Sequence, residues 1–284
     1  MEVSRELVPR RLLAQPPAYP LTLLGSELLD FRPNSRILHQ PSYEANASHS
    51  FCSSFDIGGL VRLASEAGGV IEMSCAVGDT VVDDALLLRV HGGTRALPEA
   101  ELIRRIHLTT DRTFEQDTKY PLRLLVDIAV KALSPAVNDP TTAVQAIDQI
   151  EDLLRRLGRR ELDAGYARDA AGTLRLIFPM PTWEDYLRLA FDEIRQYGVS
   201  SVQVMRRLRS ALHGIAESAV IEGRAAAVER YLGHLDLVIE RSPLDAEDRL
   251  VASQEDRQGL GVSRRQAEPR RPSIVAEPQG RRTA

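Results

Sequence analysis

Residues Ala132–Ala143 read ALSPAVNDPTTA. The stretch separates two apolar, helix-periodic segments and interrupts both. Pro135 cannot continue a preceding helix, and its ring pushes Ser134 out of helical backbone. Asn138 and Asp139 are capping residues, and Pro140 suits a first helical turn. One helix should therefore end near Ser134 and another begin at Pro140. With about four residues between them, the two should be antiparallel or sharply bent neighbours.

Just before the stretch, PLRLLVDIAVKAL (121–133) opens on Pro121 and is apolar nearly all round, which predicts a buried helix. Its polar residues Arg123, Asp127 and Lys131 are spaced four apart and form one stripe of alternating charge. Burying Asp127 unpaired would cost several kcal/mol, and Arg123 and Lys131 are its local partners. On the other side, Ala143, Ile147, Ile150, Leu154 and Leu157 keep the 3–4 apolar spacing until Gly158 stops it. Further on, GTLRLIF (172–178) reads as a lone strand. Thr182 caps WEDYLRLAFDEIRQYG, with Trp183, Leu187, Ala190 and Ile194 inward and Gly198 closing it. Ser200 or Ser201 opens the next helix, another runs from Gly223 to Pro243, and AEDRLVASQEDR is a short amphipathic piece.

Upstream the pattern differs. In residues 56–92, β-branched runs lie between glycines, and Val70, Glu72 and Ser74 alternate with Ile71, Met73 and Cys75, a strand period. Gly78-Asp79 is a turn pair. AVGDTVVDDALLLRV (76–90) resembles the second half of a lipoyl- or biotinyl-type β sandwich. No lysine occurs between residues 56 and 92, so the resemblance implies shape and excludes a swinging cofactor arm. PEAELIRRIHLT (98–109) puts Leu102, Ile103 and Ile106 on one helical face. The expected fold is α+β, a small β-sandwich or barrel-like module followed by a mainly α-helical domain. The boundaries are an irregular segment 1–55, the β module 56–95, the helical domain 96–243, and a short helix with a disordered basic tail 244–284.

The 284 residues are 43% hydrophobic and 27% charged, a globular composition. Net charge of -4 excludes general nucleic-acid binding. No apolar run approaches the roughly 18 residues that span a bilayer, so the chain as written is expected to be soluble or peripheral, on the cytoplasmic side. The tail SRRQAEPRRPSIVAEPQGRRTA carries six arginines against two glutamates, a candidate for peripheral membrane contact. Cys52 and Cys75 show no motif spacing and are read as reduced thiols. The six histidines form neither HxH nor HExxH, and neither a nucleophile elbow nor a phosphate loop is present, so no metal and no cofactor is expected.

Chemistry concentrates at the opening stretch. Ser134, Asn138, Asp139, Thr141 and Thr142 gather side-chain oxygens at one corner. A capped turn explains them, and so does a polar ligand site. Arg112, Asp117 and Asp127 could serve acid–base chemistry if they met in a cleft. DRTFEQD (111–117) followed by LVDIAVKALSPAVNDPTTA (125–143) resembles the bacterial family of predicted membrane proteins called domain of unknown function 2254, and AFDEIRQYG (190–198) is similar to its pattern. The matching positions are Arg112, Thr113, Gln116, Asp117, Asp127–Ala129, Ala132–Pro135 and Asn138–Ala143, and the likeness covers about residues 56 to 240. Lys119-Tyr120 stands where an aromatic–glycine pair is usual, and Ala136 where glycine is common. The resemblance implies the soluble portion of proteins that carry membrane helices nearer the N-terminus, and it implies no activity. Arg112, Thr113, Gln116, Asp117, Asp127, Ser134, Asn138, Asp139, Thr141 and Thr142 are the candidate polar ligand site. Three functions stay open: a non-catalytic portion that senses a ligand or assembles, an enzyme using an Arg/Asp cluster, or a structural homo-oligomerisation module.

Overall fold

The computed structural model describes residues 28–31, 49–82, 85–112, 117–162 and 165–261. Along the chain run β1 (Leu28–Phe31), β2 (His49–Phe55), α1 (Ile57–Ala67), β3 (Val70–Met73), β4 (Thr80–Val82), β5 (Leu88–His91), α2 (Glu99–Ile103) and β6 (Ile106–Thr109). Then come α3 (Lys119–Ala132), α4 (Pro140–Leu157), β7 (Tyr166–Arg168), β8 (Leu174–Ile177), α5 (Trp183–Tyr197), α6 (Val202–Ser218), α7 (Arg224–Glu240) and α8 (Ala246–Ala252). The fold is α+β, with a strand-rich unit ahead of a helical one.

The strand-rich unit has two sheets, in order β1-β5-β3-β8-β7 and β4-β2-β6. Their core includes Leu60, Leu63, Ile71, Leu88, Leu102, Leu176, Cys52 and Cys75. This unit is discontinuous in sequence. The strand expected to stand alone, β8, pairs parallel with β3, Ile71 opposite Leu176. Arg175 on β8 fixes the pairing: its Nη1 donates to Gly69 O at 3.0 Å and its Nε to Asp169 at 2.8 Å.

Three expectations in this region are corrected. Parts of the segment 1–55 are strands rather than irregular. In β2 a bulge between Cys52 and Ser54 shifts the register, so Cys52 and Phe55 both turn inward despite an odd spacing. The GGLVRLAS run is helical. Asp56 caps it by accepting from Gly59 N at 2.9 Å, and Leu60, Leu63, Ala64 and Ala67 form its buried face. PEAELIRRIHLT is not one helix: α2 ends at Ile103, and Ile106–Thr109 becomes β6 because it completes the sheet beside β2.

The helical unit packs α3 on α4, α4 on α6, α3 on α5 and α6 on α7. Ile147, Ile150, Leu154, Leu187, Phe191, Ile194, Leu208 and Ile215 are buried between them. Local caps set the boundaries. Thr182 and Asp185 form a reciprocal capping box on α5, Ser201 caps α6, and Gly158 and Gly198 close α4 and α5. Arg224, at the first position of α7, donates to the carbonyls of Leu157 and Arg160 at 3.1 and 2.7 Å, satisfying the end of α4. Arg207 of α6 is buried and bridges Asp148 and Glu151 of α4 at 2.6 and 2.5 Å.

Candidate functional site

The ten residues marked in the sequence fall into separate places along α3. At fourteen residues and 1.5 Å per residue this helix is about 21 Å long. Arg112 and Asp117 precede it, Asp127 lies on its flank, and Ser134–Thr142 follow it. The structure does not bring these groups to one cleft. Thr113 and Gln116 lie outside the described residues.

At the far end the corner satisfies itself. The amides of Val137 and Asn138 donate to Ser134 O at 3.0 and 2.9 Å, and Asp139 N donates to Ala132 O at 2.8 Å. Ser134 Oγ donates back to Lys131 O at 2.8 Å. Asp139 is the cap of α4: its Oδ1 accepts from Thr142 N at 3.1 Å and its Oδ2 from Thr142 Oγ1 at 2.5 Å. The Thr142 hydroxyl, then the amide, hold this carboxylate below its ordinary value. Asn138 alone among the described non-glycine residues has positive φ, 48°, and lies exposed beside Pro135, Ala136, Val137 and Thr141. A short asparagine side chain tolerates that backbone.

The flank is also corrected. α3 is not buried all round. It buries Leu122, Val126, Ala129 and Ala132 and turns Leu124, Asp127, Ile128 and Lys131 to solvent. Arg123 meets both Asp127 and Glu193 of α5. Bonds from these carboxylates, Glu193 first, raise the guanidinium, and the same contact lowers Glu193.

At the near end lies a node that joins the two units. Asp117 is only 4% exposed. Its Oδ1 accepts from Lys119 N at 3.0 Å, while its Oδ2 is buried with no hydrogen-bond partner. It abuts Gly78, whose φ of 89° and missing Cβ make room for the carboxylate. The next residue, Asp79, accepts from Ala76 N at 2.8 Å and faces Lys119 Nζ at 3.9 Å. Thr118 bonds the hydroxyl of Tyr186 on α5, and burial raises that phenol above its ordinary value. Arg112 stacks over Phe51 of β2 at 4.9 Å. The turn 76–79, the start of α3 and α5 therefore meet at one place. Gly78-Asp79 was legible as a turn, but its contact with Asp117 was not.

Two clefts lie elsewhere. One of about 450 Å³ runs between α1 and the β7–β8 turn, and one of about 290 Å³ lies between α4, α6 and the segment after α8. Neither includes a residue marked in the sequence. Among the described residues no group of three or more His, Cys, Asp or Glu could hold a metal ion, and no helix is long and apolar enough to cross a membrane.

The chain belongs to the family described as predicted membrane protein, domain of unknown function 2254, whose profile matches residues 38–214. It is 30% identical over 240 residues to an uncharacterised protein of Mycobacterium bovis and to uncharacterised proteins of two Mycobacterium tuberculosis strains. Each match covers 82% of this chain and 45% of the relative, so the chain spans less than half the length of these curated relatives. No solved structure matches it.

Proposed function

We propose that this chain is a non-catalytic, extramembrane portion of a membrane-associated protein, facing the cytoplasm, and that it acts by assembly with a second copy of itself along α3. One observation carries the reading. α3 exposes Leu124 at 37% and Ile128 at 49%, and Val137 in the adjoining corner at 51%. Leu124 and Ile128 are one turn apart on one face. An antiparallel pairing of two α3 helices about a two-fold axis sets Leu124 of each copy against Ile128 of the other. That self-complementarity is what a closed dimer requires. The alternating stripe Arg123, Asp127 and Lys131 borders the same face and supplies a polar rim. Division of the marked polar residues between the two ends of α3 counts against an enzyme built on an Arg/Asp cluster. Unbridged cysteines suit a reducing compartment. The basic tail, proposed as a membrane contact, lies outside the described residues.

Light scattering on the purified chain tests assembly. A dimer is expected, with Ile128→Glu giving a monomer of unchanged circular dichroism. A wild-type chain that stays monomeric up to about 100 μM, a dissociation constant worth roughly −5.5 kcal/mol, overturns it.

A further inference from the structure

Cys52 lies within β2, and Cys75 follows the end of β3. Both are unbridged and both belong to the core of the strand-rich unit, 0% and 6% exposed. Backbone pairing brings them together. Cys52 N donates to Asp79 O at 3.0 Å, and Gly78 N donates to Cys52 O at 2.8 Å, so the turn that follows Cys75 folds back onto Cys52. Cys75 Sγ donates to Leu87 O at 3.9 Å, and the two thiols interact within the same core. That interaction holds the Cys75 thiol below its ordinary value, and together with burial it pushes Cys52 up. The less buried cysteine is thus the one that more readily becomes the nucleophilic thiolate, and the fully buried one keeps its proton. β4, which lies beside β2, is a three-residue edge strand, and its local opening is the route by which a small oxidant would reach the pair.

We propose that Cys52 and Cys75 are a peroxide-responsive dithiol, a modification site that closes to a disulfide and staples β2 to the turn carrying Gly78 and Asp79. The Cys75 thiolate attacks one oxygen of hydrogen peroxide. The O–O bond breaks, leaving a Cys75 sulfenic acid and hydroxide. Cys52 gives up its proton and attacks that sulfur. The S–S bond forms, the S–O bond breaks, and the oxygen leaves as water. Two thiols are oxidised by two electrons and one peroxide is reduced to two waters. The bridge lies beside the Gly78–Asp117 contact, so it stiffens the junction between the two units.

The test uses the full chain, reduced, freed of reductant and treated with hydrogen peroxide. It is then acid-quenched, denatured and exposed to a maleimide. The expected product has lost about 2 Da, the two thiol hydrogens, takes up no maleimide, and regains both thiols with dithiothreitol. In Cys52→Ser, dimedone should trap a sulfenic acid on Cys75, whereas Cys75→Ser should leave Cys52 unlabelled. Uptake of two maleimides by the peroxide-treated wild type overturns the proposal, and so do bridges formed only between molecules. The wild-type mass decides the matter even if neither serine variant folds.

Discussion

Asp117 lies so close to Gly78 that any side-chain carbon on the glycine would overlap the carboxylate. The two residues belong to different units, one in the turn after β3 and the other at the entrance to α3. Gly78→Ala should therefore fail twice, through its positive φ and through the collision. A cost of about 1–3 kcal/mol is expected, the range for a residue forced into left-handed backbone. Asp117→Ala removes the collision, so the double variant should be less unstable than the sum of the singles. Urea melts of all three measure the coupling, and strict additivity would show that the contact is not there.

Asp127 should be dispensable. Its side chain is 50% exposed, and Arg123 keeps Glu193 as a second partner when Asp127 is lost. Asp127→Ala should cost no more than about 0.5 kcal/mol, as for other exposed pairs. Arg123→Ala should cost more, about 1 kcal/mol, because it also removes a tie between α3 and α5. Denaturant midpoints should place the two variants in that order.

Acid should loosen the caps. Hydrogen bonds hold Asp139 and Asp185 below the ordinary carboxylate value, from Thr142 in the first case and chiefly from the Thr182 amide in the second. A depressed carboxylate adds stability above its unfolded value and loses it as pH falls through the folded one. Thermal midpoints should thus fall across that acid range. Asp139→Asn keeps a capping side chain without a titrating charge, so its acid limb should be shallower than the wild type's. An unchanged slope would remove Asp139 from the account.

Leu176 tests the discontinuous sheet. It is fully buried on β8, opposite Ile71 of β3. Leu176→Ala should cost about 2–5 kcal/mol, the range for a buried leucine truncated in a core. Hydrogen exchange should then rise at β3 and β5, far away in sequence, as well as at β8. Loosening confined to β7 and β8 would mean that the hairpin is only an appendage.

What could be read from the sequence was local. Asp139-Pro140, Thr182, Ser201, Gly158 and Gly198 announce helix ends because a cap acts within three or four residues of itself. What escaped was set by distant partners. Serines and a bulge hid β2, a glycine pair disguised α1, and Ile106–Thr109 kept a helical pattern until pairing with β2 overrode it. Asp117 was marked in the sequence, yet its neighbour Gly78 lies about forty residues earlier, a proximity that only the fold creates. Asp127 was placed in a buried helix because apolar residues such as Leu124 and Ile128 look the same in sequence whether they face this chain's core or its surface.

The parallel pairing of β3 with β8 gives the chain a schedule. Ile71 waits for Leu176, about a hundred residues later, before the sheet between them can close. During synthesis β3 can pair with β5 as soon as β5 follows it out, but its other edge stays open while α3 and α4 are made, before its second neighbour exists. A nascent chain halted after Gly158 should hold helices on one side and an open strand edge on the other. Such an edge recruits whatever strand is nearest. Internal truncations in that region should aggregate, whereas a chain continued past Phe178 can seal the sheet.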